Sequence, residues 1–107
     1  MIEVKIVKKN NRYYGFEIKG HAGAGEYGSD VVCAAVSMLA FNTCDTITDI
    51  LKCNPVLKVD EKNGGDLSLL MKEDEISHDT DLIFKSFEIG IISAVKSYDK
   101  YVKLFYS

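Results

Sequence analysis

The sequence has no tryptophan, a single proline (Pro55) and only three cysteines in 107 residues. So little proline, with eight glycines and no internal repeat, leaves no linker-like tract, and residues 1–107 are expected to fold as one domain. A domain of this size withdraws roughly two-thirds of its unfolded surface from water. Cys33, Cys44 and Cys53 make an odd count without a CxxC pair, which argues against a disulfide framework or a zinc site and leaves each thiol to be explained singly. No uninterrupted apolar run approaches the roughly 20 residues that span a bilayer. The start, MIEVKIVKKNN, alternates instead of building a signal-peptide core, so a soluble, cytoplasmic protein without membrane attachment is expected. A basic excess is lacking too: 13 Lys and Arg against 16 Asp and Glu give a net charge of −3, which offers a phosphate backbone no broad field. Direct nucleic-acid binding is not expected.

What the chain does have is a clear change of hydrophobic period. Ile2, Val4 and Ile6 alternate with Glu3 and Lys5, and after the polar turn KKNN, Tyr14, Phe16 and Ile18 alternate again, which predicts a hairpin of half-buried strands. From Ser29 to about Leu51 the period becomes helical, with Cys33, Val36, Ala40, Cys44 and Ile47 on one stripe. Leu57 and Val59, then Leu67, Leu69 and Met71, flank DEKNGGD as a second hairpin. After the cap candidates Ser77, Asp79 and Thr80, the residues Ile83, Phe87, Ile91, Ala94 and Val95 predict a second long helix, and YVKLFYS closes as a strand. The order ββαββαβ predicts an α+β fold: a mainly antiparallel sheet with two long helices packed on it as a sandwich. Both helices carry more apolar residues than one small sheet covers, which predicts a homodimer.

The chemistry concentrates between residues 20 and 37, GHAGAGEYGSDVVCAAVS. With Ser29 as helix cap, Cys33 is expected in about the first turn, where unpaired N–H groups and the helix dipole favour a thiolate. His21, twelve residues earlier at the end of a strand, is the natural proton acceptor, and backbone N–H groups at the helix start offer oxyanion donors. Ala22, Gly23, Ala24, Gly25, Glu26, Tyr27, Gly28 and Ser29 form a Gly-rich loop that lets a substrate main chain approach closely. Each residue also has a plainer reading. Cys33 is a small hydrophobe in a helix, His21 a strand-end histidine bonded to a carbonyl, and the glycines simply a loop. Asp30 either complements the helix dipole or orients His21, and Ser37 either bonds back to a helix carbonyl or donates to the thiolate. Cys44 and Cys53 lack a neighbouring histidine and read as structural, and His78 as surface or cap.

Two other classes of function use the same segment. A non-catalytic binding module would hold an anion or an RNA backbone with the Gly-rich loop and the helix N-terminus, but GHAGAG has neither the lysine of a P-loop nor a dinucleotide fingerprint. A metal site of His21, Cys33 and Asp30 lacks a fourth ligand at the usual spacing, so neither metal nor cofactor is expected.

The segments GHA and GEYGSDVVCAAVS, with the terminal YVKLFYS, resemble the ribosomal-processing cysteine protease family called Prp, in length and element order over the whole chain. The resemblance implies a cysteine endopeptidase that removes a short N-terminal extension from a large-subunit ribosomal protein, conventionally numbered twenty-seven, during ribosome maturation. It implies His21 and Cys33 as the catalytic dyad, with supporting positions at Gly20, Asp30 and Ser37. A homodimer, a flexible loop over the site and cleavage after an aromatic residue are implied as well.

Overall fold

Two adjacent asparagines, Asn10 (φ 52°) and Asn11 (φ 63°), take the left-handed backbone and close the first hairpin. Asn tolerates that region better than most side chains, and a two-residue turn of this hand matches the twist of the strands it joins. β1 (Ile2–Lys9) and β2 (Arg12–Lys19) therefore run right up to Asn10 and Asn11, and Lys8 and Lys9, expected in the turn, are strand residues. This computed structural model describes residues 1–20, 27–60 and 66–107, with 27–30 as backbone alone.

After the hairpin come α1 (Tyr27–Asp45), extended by a π-helical turn over Thr46–Ile50, then β3 (Val56–Asp60), β4 (Asp66–Leu70), α2 (His78–Ser97) and β5 (Val102–Tyr106), the expected order. The sheet runs β3-β4-β2-β1-β5. Its pairings are antiparallel except β1 with β5, where Ile2 lies beside Val102 and Ile6 beside Tyr106 in parallel register. The core lies between the sheet and the two helices. Val4, Ile6, Phe16 and Leu69 meet Val32, Val36, Ala40 and Ile47 of α1 with its π turn and Phe84, Phe87 and Ile91 of α2. Phe16 and Phe87 stack with ring centroids 4.4 Å apart. The fold is thus the α+β sandwich that the patterning predicts.

The structure adds four local details to the patterning. Tyr13, not Tyr14, faces the core, because the β1–β2 register slips between Val7 and Lys8: Val7 pairs with Gly15 and Lys8 with Tyr13, leaving Tyr14 as the extra residue of a bulge. Gly15 (φ 151°) makes this possible, since a Cβ there would stand 1.9 Å from the Leu69 carbonyl oxygen. Leu57 and Val59 share the sheet face of Leu69 and Leu67 but are 46 % and 50 % exposed, because β3 is an edge strand that the helices do not reach. In α2 Phe87, Ile91 and Ala94 are buried as expected, while Ile83 and Val95 are only half-buried and Phe84 joins the core in their place. Finally, Val31–Ile50 is long and apolar enough to cross a bilayer by length and composition, although here Val32, Val36, Ala40, Cys44 and Ile47 along it are committed to the core.

Candidate active site

α1 begins at Tyr27, so Ser29 is not its cap but its third residue, and Cys33 is its seventh. A serine cap is worth only about 1 kcal/mol, a local preference that the surrounding chain overrides here. The consequence for Cys33 is direct. It lies nearly two turns inside the helix, where its N–H is turned toward the carbonyl four residues back, and the dipole effect, confined to the first turn, has largely faded. The expected stabilisation of the thiolate by the helix N-terminus, and the use of the Cys33 N–H as oxyanion donor, are therefore not what this geometry provides. Asp30 does fall in the first turn, where a carboxylate complements the dipole. Tyr27, Gly28 and Ser29, expected in the loop, are helical backbone. His21, Ala22, Gly23, Ala24, Gly25 and Glu26 lie outside the described residues.

Cys33 is half-buried and packs against the edge of the core, with Ser37 one turn on and also half-buried, on the same helical face. The other two thiols differ from it. Cys44 is 3 % exposed, and its pKa is pushed up to about 11, by burial first and then by the Asp45 charge, against a smaller opposing effect of its own backbone. Cys53 is raised as well, by burial and then by Glu75, and its Sγ lies 3.9 Å from the Leu51 carbonyl oxygen. Both are held as neutral thiols at physiological pH, which suits the structural role expected of them. No disulfide joins the three. His78 is the exposed first residue of α2, directly after the cap Ser77, and belongs to the helix surface.

Gly20, the residue before His21, is held closely. Its backbone is left-handed (φ 78°), a Cβ on it would stand 2.5 Å from the Met1 carbonyl oxygen, and its N–H donates to Asp66 Oδ1 at 3.2 Å. Three segments thus meet where β2 ends: the start of β1, the start of β4 and Gly20 itself. Ile18, Lys19, Val59, Asp60, Asp66 and Leu67 line a shallow depression at this end of the sheet. The sequence reading named Gly20 but missed Asp66, whose only signal was a carboxylate directly after the NGG turn.

A second polar cluster lies at the opposite end of β2, about 20 Å along the strand from Gly20. Glu88 of α2 is buried and accepts hydrogen bonds from the Tyr13 and Tyr106 hydroxyls, both at 2.5 Å, with Lys8 Nζ 4.7 Å from the Tyr13 ring centre. Arg12 Nε bonds Asp81 Oδ2 at 2.8 Å, and the Tyr13 N–H donates to Asp81 Oδ1. These contacts tie α2 to the first hairpin. Among the described residues no group of His, Cys, Asp and Glu is arranged to hold a metal ion.

Comparison with known proteins gives the class first: the chain is a cysteine protease. It belongs to the cysteine protease Prp family, whose sequence model matches residues 1–103. The ribosomal processing cysteine protease Prp of Staphylococcus aureus is 29 % identical over 107 residues, covering 99 % of each chain. A crystal structure of a Streptococcus mutans protein superimposes with a TM-score of 0.91 at 30 % identity, over 99 % of this chain and 93 % of that one. The S. aureus ribosomal processing protease Prp, in complex with a covalently linked product peptide, matches with a TM-score of 0.87 at 26 % identity over the whole of both chains.

Proposed function

We propose that this chain removes the short N-terminal extension of a large-subunit ribosomal protein, the one numbered twenty-seven, with Cys33 as nucleophile and His21 as general base. The observation that carries this reading is a relative of the same fold holding a peptide product in covalent linkage, which is what nucleophilic catalysis leaves behind. The raised thiols of Cys44 and Cys53 suit structural positions, and the half-buried Cys33 is taken as the nucleophile.

In this mechanism the His21 imidazole takes the Cys33 thiol proton, and the thiolate attacks the scissile carbonyl carbon. The tetrahedral oxyanion then collapses with loss of the amine, which leaves with the proton from His21, and water, deprotonated by the same imidazole, hydrolyses the thioester. No metal or cofactor takes part. Asp30 and Ser37 support the dyad from the helix. The working environment is the cytoplasm, where ribosomal proteins are assembled.

The active form is proposed to be a homodimer. Val31, Met38 and Phe41 of α1 and Leu82 and Ile89 of α2 stay exposed, so the two helices do not exhaust each other's apolar surface. Ala35, Met38, Leu39, Gly90, Ala94 and Tyr98 line a groove between them, and a twofold copy offers a matching apolar face. The test of the activity is incubation of the purified protein with the extended ribosomal protein, read by intact mass. Loss of the extension at one bond is expected, and a substrate unchanged after prolonged incubation overturns the proposal.

A further inference from the structure

We propose that β3 is the strand on which the protease holds its substrate, with Leu57 and Val59 as specificity-determining residues for alternate apolar side chains of the extension; this rests on the reading of Cys33 as nucleophile. β3 is antiparallel to β4, which is antiparallel to β2, so β3 runs parallel to β2 and α1 crosses over the strip between them, which is β4. That placement accounts for the burial of Leu67 and Leu69 of β4 on the helix side of the sheet. Leu57 and Val59 pair with Leu69 and Leu67, face the same side and remain exposed. Leu39 of α1 meets α2 at Gly90, and Val32, Val36 and Ala40 point into the core. Cys33 lies about 120° round the helix from Leu39, past that core stripe. It is therefore on the flank of α1 turned away from α2, which looks across β4 toward β3.

This strip fits an extended apolar peptide. All five residues of β3 are exposed, and among the described residues no strand pairs with its outer edge, so that edge is a template for one more strand. The opposite edge differs, because α2 packs over β5 and buries Val102. Leu57 and Val59 stand about 7 Å apart along their strand, the spacing of alternate side chains in an extended chain laid beside it. Cys33 and Ser37 are small, so the flank of α1 that carries them does not close over the strip. Since α1 returns antiparallel to β3, its first half, with Cys33, lies toward the carboxyl end of β3, where Val59 also lines the depression with Ile18 and Leu67. Val59 is then the contact nearer the scissile bond and Leu57 the one further along. A strand of five residues suits a short tail and leaves the folded remainder of the precursor on the open side.

The experiment measures kcat and KM of Leu57→Lys, Val59→Lys and Val56→Lys on a peptide that spans the extension and the cleaved bond. All three positions are exposed, so melting temperatures are expected to stay at the wild-type value. Leu57→Lys and Val59→Lys are expected to raise KM about tenfold with kcat little changed, the scale of a lost apolar contact in a specificity site. Val56→Lys, on the opposite face of the same strand, is expected to behave as wild type. A peptide with glutamate in place of its apolar residue nearest the cleaved bond should be cut faster by Val59→Lys than by the wild type. Wild-type KM in Leu57→Lys and Val59→Lys, with Cys33→Ala inactive, overturns this proposal and leaves the nucleophile standing; cleavage by Cys33→Ala overturns both. An equal loss in Val56→Lys also overturns it, because the strand and not its apolar face would then matter. Altered sedimentation with unchanged KM assigns the strip to contact between copies of the chain, and the proposal fails.

Discussion

At the scale of single residues, the three cysteines divide cleanly. Burial and a neighbouring carboxylate raise the thiol pKa of Cys44 and Cys53, so their alanine variants are expected to retain cleavage, whereas Cys33→Ala is expected to abolish it with the fold intact. A peptide-cleavage assay with circular dichroism on each variant checks this, and residual turnover by Cys33→Ala removes it as nucleophile. His21→Ala should lose about 10²-fold to 10⁴-fold in kcat, the range of a general base. These two positions stood out in the sequence as candidates because a histidine, a glycine-dense loop and a cysteine on a helical stripe fall together there, and His21 lies outside the described residues. The Gly20–Asp66 contact was not legible, because it joins residues 46 apart whose meeting depends on the register of β4 against β2. No turn joins β2 to β4, so their register is fixed by long-range packing and not by a local signal.

At the scale of elements, type and order were readable and facing was less so. The alternation Tyr14, Phe16, Ile18 looked regular, and the bulge at Tyr14 broke it by one residue, which put Tyr13 instead of Tyr14 on the buried face. Gly15→Ala is therefore expected to be severely destabilising, since the added carbon would fall 1.9 Å from the Leu69 carbonyl oxygen and in a backbone region that suits glycine. Loss of the cooperative thermal transition is the measurement. α2 was anticipated with three cap candidates, and the structure selects Ser77. Its hydroxyl accepts from the Thr80 N–H at 3.2 Å, while the Thr80 hydroxyl accepts from the Ser77 N–H at 2.8 Å. Ser77→Ala should cost about 1 kcal/mol, a fall in Tm of roughly 4–8 °C for a domain of this size. The start of α1 escaped the sequence reading because Ser29 is a good cap that the chain does not use.

At the scale of the whole molecule, pH acts through the cluster that ties α2 to the sheet. Burial alone would raise the Glu88 pKa, but the hydrogen bonds from Tyr106 and Tyr13, helped by Lys8 and Lys85, outweigh it and lower it. The stabilisation from a lowered carboxylate is present above its unfolded value and is lost as pH falls through the folded one, so acid should loosen α2. Tyr106 is shifted the other way, up to about 12, by burial and then by Glu88. Its contribution is full below the unfolded value of about 10 and declines as pH rises toward about 12. Melting temperatures across this alkaline window should fall less steeply in Tyr106→Phe than in the wild type, and equal slopes would exclude the cluster as the cause. The proposed dimer is decided by sedimentation over a dilution series, where an 11.9 kDa species persisting at high concentration defeats it.

The parallel pairing of β1 with β5 has a consequence in time as well as in space. Ile2 lies beside Val102, so β1 is completed by a strand made about 100 residues later. At a synthesis rate of about 5–20 residues per second, β1 spends on the order of 5–20 s outside the ribosome with one side of its main chain still waiting for its neighbour. The β1–β2 hairpin forms locally in microseconds, but closing a loop of this length is the slow kind of contact. Translation itself therefore sets the earliest moment at which the protease can be whole. During that interval the bare side of β1 is open to pairing with the wrong strand.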